Sequence, residues 1–320
     1  MTVIINTVWG GIASQIVDRQ ISTTNNEIYD QQSNKVCIVL TKDALVSITY
    51  TGIAVANKKW LDCVIANCLS HKQLNFAVAQ PGSPYLARPI HTIINELSIN
   101  LNGALNRDKR AQSHNLRISI IGWHLGKKTT PLAWELFRGV AEENGNRFFK
   151  VKYHKIGKFF REHPTGLWCE TLGDSGTSVD ENLKNLSLIN SLNHDEVERH
   201  IRESVIKRST ETITVSADCV AVQLNPYDHD GQVQFTYYPA QEKINGHQLL
   251  SPWVLTPRLI CAPSEMNSSS VPVSKCGVYV VGGFEDPNTK LSIRTRIPIN
   301  DSQTFRGVIS TNFQKRKITI

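Results

Sequence analysis

Short runs of apolar residues, rather than long ones, set the pattern at the start of the chain. Val3-Ile4-Ile5 through Trp9 and Ile12 through Val17 flank Gly10-Gly11, a dipeptide suited to a tight hairpin between two strands. Residues 20–34 are polar and read as a loop. A second hairpin follows, from Lys35 to Leu40, a turn at Thr41-Lys42-Asp43, and Leu45 to Tyr50. There Val46, Ile48 and Tyr50 fall on one face and Ser47 and Thr49 on the other, the alternation of a strand with one buried face. This hairpin closes on Thr51-Gly52-Ile53-Ala54.

The period then lengthens. Trp60-Leu61, Val64-Ile65 and Cys68-Leu69 recur at helical spacing and predict an amphipathic helix over about Asn57–Leu69. Ile90, Ile93, Ile94 and Leu97 form the stripe of a second helix between Tyr85 and Leu105. Extended runs return at Leu116–Trp123, Pro131–Phe137 and Phe148–Tyr153, with a polar turn at 142–146 and another short run near Leu167. The turn-rich segment Gly173-Asp174-Ser175-Gly176-Thr177-Ser178 feeds a helical pattern through Leu183, Leu186 and Ile189. A further helix starts near Asn193, with Val197, Ile201 and Val205 on its inner face, and Asp218–Leu224 is again a strand. Strands and helix pairs thus come in groups, which points to layered α+β architecture rather than β-α alternation. Covering each side of two stacked sheets with one helix pair is the economical arrangement. Beyond Pro226 the chain carries short β-prone runs punctuated by Pro and Gly, with a turn at 227–231 and a serine loop at 268–270. The expected division is a core over residues 1–225 and a β-rich C-terminal extension over 226–320.

Composition narrows the class. The 320 residues are 40% hydrophobic and 20% charged, ordinary for a globular protein. No apolar run approaches the roughly 18 residues of a membrane span, and the start lacks the basic and apolar regions of a secretory signal. The expected setting is the cytoplasm. Seven cysteines, without a C-x-x-C pair and mostly among apolar neighbours, predict buried free thiols rather than disulfides or a zinc site. The net charge of +7 arises from Arg107–Arg110, Lys150–Arg161 and Lys315–Lys317. These segments lack regular aromatic interleaving and read as solvated faces, not a nucleic-acid track. His229 between Asp228 and Asp230 reads as a solvated turn rather than a metal site. No phosphate-binding glycine loop or G-x-S-x-G elbow occurs, so no cofactor and no metal are expected.

Thr2 is where chemistry enters. If Met1 is removed, Thr2 carries a free α-amine beside its own hydroxyl, and a threonine so placed has a built-in general base. An α-amine titrates near pH 8, about 7.7–8.0, so it can take the hydroxyl proton and return it to a leaving amine. A nearby Lys35 ammonium would favour the developing alkoxide, and Asp18 would hold that lysine charged and oriented. The N–H of Gly52 would serve a tetrahedral oxyanion.

These residues, in this order and context, resemble the proteasome β-subunit group of N-terminal-nucleophile (Ntn) hydrolases. Thr2 matches the catalytic N-terminal threonine, Asp18-Arg19 the acidic pair ending the second strand, and Lys35 the catalytic lysine opening the third. Thr51-Gly52-Ile53-Ala54 resembles the loop whose glycine N–H is the oxyanion donor. Ser175-Gly176-Thr177 resembles the serine turn that supports the α-amine. The likeness covers roughly residues 2–224 and implies a four-layer αββα sandwich. It departs where the family carries an Asp followed three residues later by a Ser before the last core strand. This chain has Thr210-Glu211-Thr212-Ile213-Thr214-Val215-Ser216 there, and neither Glu211 nor Ser216 is assigned to the missing role.

Two functions follow from the resemblance. One is a threonine-type peptidase or amidohydrolase, acting on a peptide or other amide and assembled as a homo-oligomer. The other is a catalytically inactive scaffold of the same fold that uses its C-terminal extension to bind partners. Thr2, Asp18 and Lys35 occurring together favour the first.

Overall fold

In the computed structural model the described residues are 2–22, 28–30, 33–56, 58–74, 79–108, 114–139, 147–174, 176–187, 193–227, 233–238, 248–250, 252–263, 265–267, 278–280, 284–286, 291–298 and 305–310. The first hairpin is β1 (Val3–Trp9) and β2 (Ile12–Asp18), the second β3 (Val36–Leu40) and β4 (Ala44–Thr51). Helices α1 (Leu61–Ser70) and α2 (Ile90–Asn106) follow. Next come β5 (Arg117–Leu125), β6 (Thr129–Arg138), β7 (Phe149–Tyr153), the short α3 (Ile156–Glu162) and β8 (Trp168–Gly173). Helices α4 (Gly176–Ser187) and α5 (His194–Glu211) precede β9 (Cys219–Leu224). The C-terminal tract contributes β10 (Val233–Tyr238), β11 (Trp253–Leu255), β12 (Leu259–Cys261), β13 (Leu291–Pro298) and β14 (Phe305–Ser310).

The protein is α+β, with two large sheets. One runs β8-β1-β2-β9-β10-β14-β13 and continues into Val278–Val280. The other runs β7-β6-β5-β4-β3-β11-β12 and ends on Ala79–Pro81. Three apolar clusters hold the layers. Ile48, Ile118 and Ile120 of the second sheet pack with Leu61, Ile65, Ile93 and Leu97 of α1 and α2. Ile4, Val17, Val222 and Phe235 of the first sheet meet Ile38, Leu45 and Ile121 of the second. On the opposite face of the first sheet, Ile5, Ile16 and Ala221 pack against Val179, Leu183, Val197, Ile201 and Val205 of α4 and α5. The two-residue period of β1 therefore sends Ile4 and Val8 towards the second sheet and Val3 and Ile5 towards the helices.

The second hairpin differs from its pattern. Every residue of β4 is buried, so the face bearing Ser47 and Thr49 meets the other sheet, not solvent. The Ser47 hydroxyl persists there because it is bonded, while the Thr49 hydroxyl is buried without a hydrogen-bond partner among the described residues. Ser47 donates to Gln15 Oε1 at 2.7 Å, while Gln15 Nε2 donates to Asn6 Oδ1 at 2.9 Å and to Ser119 Oγ at 3.0 Å. Asn6 Nδ2 also donates to Ser119 Oγ, at 2.8 Å. This polar patch lies inside an otherwise apolar sheet–sheet contact and ties β1 and β2 to β4 and β5.

Helix boundaries follow local chemistry. α1 begins at Leu61 rather than near residue 57, because Lys59–Trp60 pairs with Val55–Ala56 as a small ladder. Asn193 caps α5 in a reciprocal box with Glu196, both bonds being 2.9 Å, as Asn193-x-x-Glu196 implies. The basic stretch 150–161, read as a solvated face, contains the end of β7 and the one-sided α3, in which Ile156 alone is fully buried. The patterns at Ile189, 142–146, 228–231 and 268–270 lie outside the described residues.

Candidate active site

Thr2 stands immediately before β1, and Asp18 ends β2, so the hairpin brings them together. Val3 N–H donates to Asp18 Oδ1 at 2.7 Å. Gln20 N–H donates to the other carboxylate oxygen at 3.2 Å, and Ser216 adds a third backbone donor. Asp18 is fully buried. Burial raises its carboxyl above the ordinary aspartate range, while the Lys35 charge and the three backbone donors pull it back.

Lys35 enters from the start of β3 and is itself 2% exposed. Its Nζ lies 2.7 Å from Thr2 Oγ1 and 3.5 Å from Asp18 Oδ2, and it also donates to the Gln20 carbonyl. A buried ammonium with three donors thus faces three acceptors, one of them the threonine hydroxyl. An ammonium so placed stabilises negative charge developing on that oxygen. The structure therefore brings together Thr2, Asp18 and Lys35, from three separate segments.

Gly52 belongs to the same site. With Thr2, Tyr50, Ile53 and Ala54 it lines a small cavity of about 30 Å³ beside Lys35. Its φ is +122°, and a Cβ there would lie 2.1 Å from the Asn115 carbonyl oxygen. Only glycine accommodates both the backbone angle and the close approach. Arg19 points elsewhere: its guanidinium lies 5.1 Å from the ring centroid of Tyr237 on β10. Gly176, with φ +66°, starts α4 beside the Arg208 guanidinium. Ser175 lies outside the described residues.

Asp174 is a neighbour that the sequence reading did not single out. Its N–H donates to the Thr2 carbonyl at 2.9 Å, and the Thr51 hydroxyl reaches the same carbonyl at 3.4 Å. Gly173 makes the contact feasible, for a Cβ there would fall 1.8 Å from that oxygen. The Asp174 carboxylate accepts from Thr214 Oγ1 at 2.6 Å and pairs with Arg208, whose other end holds Glu211 at 3.0 Å. Burial acts to raise the Asp174 carboxyl, but the bonds from Thr214 and Arg208 and the Arg208 charge leave it below the usual range. Its signal in the sequence was the Gly173-Asp174-Ser175-Gly176 turn, which places an acid one residue before the serine.

Two other features lie apart from Thr2. A larger cavity, about 800 Å³, runs along β8 between α3 and α4, lined by Phe159, Trp168, Glu170 and Leu183. It includes none of Thr2, Asp18 and Lys35, so the site is assigned on chemistry rather than cavity size. Glu135, His154 and Glu170 bring donor atoms within 4.8 Å of one another, a spacing compatible with a metal ion. Arg117 at 2.5 Å and Lys152 at 3.8 Å already pair with the Glu135 carboxylate, and His154 lies 2.9 Å from Glu170. The cluster reads as an ion-pair network. No helix among the described residues is long and apolar enough to cross a membrane.

No family model matches the sequence, and no curated protein matches it. Among solved structures, the chain is similar to Anbu from Hyphomicrobium sp. strain MC1, at 10% identity over 70% of this chain and 82% of that one, with a TM-score of 0.47. A Gly-1 mutant of the same Anbu gives 9% identity over 69% and 80%, with a TM-score of 0.45. HslV from Trypanosoma brucei gives 13% identity over 70% and 99%, with a TM-score of 0.39.

Proposed function

We propose that this protein is a threonine-type Ntn hydrolase that cleaves an amide or peptide bond. The observation that carries the reading is the 2.7 Å contact between Lys35 Nζ and Thr2 Oγ1, made beside a fully buried Asp18. A lysine buried against a threonine hydroxyl and a carboxylate incurs a desolvation cost that a purely structural role has little reason to retain.

The chemistry proceeds once the chain begins at Thr2. Its α-amine removes the proton from Oγ1 as that oxygen attacks the substrate carbonyl carbon. Lys35 stabilises the charge on Oγ1, and Gly52 N–H donates to the oxyanion formed as the carbonyl π bond opens. The C–N bond then breaks, the leaving amine takes the proton held by the α-ammonium, and an ester on Thr2 remains. Water, deprotonated by the same amine, attacks that ester and releases the acid, restoring the Thr2 hydroxyl.

The same reading assigns the helix–sheet–sheet–helix arrangement to the four-layer αββα sandwich of Ntn hydrolases, and expects a homo-oligomer. It is tested by intact mass and covalent labelling. Purified protein lacking Met1 should gain the mass of a threonine-directed epoxyketone, and Thr2→Ala should not. Equal behaviour of the two proteins would sink the enzyme reading.

A further inference from the structure

We propose that Asp174 is the acidic positioning residue of the Thr2 α-amine, filling from the β8–α4 turn the role of the aspartate that segment 210–216 lacks. The inference rests on the Thr2 reading above and deepens it. Three observations carry it.

The first is register. β1 and β8 are antiparallel, with Val3 opposite Gly173, so Thr2 is opposite Asp174. Asp174 N–H donates to the Thr2 carbonyl at 2.9 Å. Asp174 is thereby held against the backbone of Thr2, whose hydroxyl contacts Lys35 at 2.7 Å, and the positive charge at the chain's N-terminus is among the groups that lower the Asp174 carboxyl.

The second is preorganisation. One carboxylate oxygen of Asp174 accepts from Thr214 at 2.6 Å, and the other pairs with Arg208, which also bonds the Asp174 carbonyl at 3.1 Å. Thr214 belongs to the very segment that lacks the aspartate. That segment thus contributes the hydroxyl that holds an acid supplied by another turn. The third is ionisation: with these partners the carboxyl lies below its usual range and is charged at neutral pH.

The charged groups around the amine divide into two sets. Lys35 and Asp18 lie on the hydroxyl side. Asp174 lies against the Thr2 backbone, with Arg208 and Glu211 behind it. A carboxylate beside an ammonium raises the pH at which the amine loses its proton, and a guanidinium lowers it. Asp174 and Arg208 therefore set the amine in opposite directions, and removing each should move it oppositely.

The test prepares full-length chain with Thr2 first, released from a cleavable N-terminal fusion. The rate of acylation of its α-amine by acetic anhydride is followed against pH by peptide mass. Epoxyketone addition is measured in parallel. Asp174→Asn should move the amine titration about one pH unit lower, and Arg208→Gln should move it higher. Loss of packing alone would not produce shifts of opposite sign. Should Asp174→Asn fail to fold, Arg208→Gln decides alone, and absence of an upward shift overturns the proposal. An unchanged titration in both variants also overturns it, even if the epoxyketone adds to Thr2. Opposite shifts without epoxyketone addition would uphold Asp174 while rejecting the hydrolase reading.

Discussion

Lys35 and Asp18 are both withdrawn from water, so neither can be removed without consequence for the other. Breaking a buried pair leaves an uncompensated charge and costs on the order of 3–5 kcal/mol. Lys35→Met should therefore destabilise the protein strongly at neutral pH. The sign of its pH dependence follows from Asp18. Burial already raises that carboxyl in the fold, and the Lys35 charge opposes the rise, so losing Lys35 raises it further. A carboxyl with a raised folded pKa contributes stability that is fully present below its unfolded pKa, about 3.9, and lost as pH rises through the folded value. The deficit of Lys35→Met relative to wild type should accordingly be small near pH 4 and large near about pH 7.5. Urea melts at the two pH values check this, and a constant deficit would contradict it. Gly52→Ala is a second case, in which the added Cβ meets the Asn115 carbonyl at 2.1 Å. It should cost about 2 kcal/mol or more, read by the same melts. The neighbourhood of Thr2, Asp18, Lys35 and Gly52 could be anticipated because each sits at a fixed place relative to a hairpin that the apolar pattern defines. The roles proposed for them came from the family resemblance. Asp174 could not be anticipated. Its place opposite Thr2 depends on the pairing of β1 with β8, a long-range register that no local pattern encodes.

Elements carry a different kind of information. The alternation of β4 correctly marked which residues share a face, but not what that face would meet. Ser47 is polar and still lies at the sheet–sheet contact, because Gln15 accepts from it and is bonded in turn to Asn6 and Ser119 of two other strands. A polar face opposed by a second polar face looks, in one strand alone, like a solvated one. The patch also suits a role in alignment. A one-residue slip of β2 would replace Gln15 by Ser14 or Ile16, neither of which offers an amide, and strand several buried groups. Gln15→Ala should therefore cost about 2–3 kcal/mol. In a double-mutant cycle with Ser47→Ala, it should show coupling of at least about 0.5 kcal/mol. Additive losses would mean that the contacts are incidental. The short α3 escaped the sequence reading for a related reason. Seven residues with one fully buried side chain give too little periodicity to separate a helix from a basic loop.

For the molecule as a whole, the open matter is whether residues 226–320 are an appendage or part of the core. Their β-prone runs were visible in the sequence, but the pairing of β11 with β3 was not, since β3 lies about two hundred residues earlier in the chain. β10 extends the first sheet beyond β9, and β11 adds to the second sheet in parallel with β3, Trp253 opposite Cys37. Trp253 is fully buried. Its indole N–H donates at 3.1 Å to Asp62 Oδ2, which also accepts from Asn34 at 2.9 Å, the residue before Lys35. The tract therefore covers two sheet edges and reaches the strand start that presents the lysine. Exposing those edges would leave unpaired backbone groups and apolar surface. Chain ended at 225 should accordingly be insoluble or only partly structured, rather than a folded core with its end removed. Trp253→Ala should cost about 3–5 kcal/mol, and Trp253→Phe about 1–3 kcal/mol through the donor lost at the buried Asp62. Both should lower a single cooperative transition, monitored together by far-ultraviolet circular dichroism and by the fluorescence of the remaining tryptophans. An independent appendage would give the contrary result: two separable transitions, with Trp253 substitutions moving only one, and a 1–225 chain that melts like the full-length protein. In that event the 226–320 strands would be accessory to the site. A single transition makes them a structural condition for placing Lys35 against Thr2.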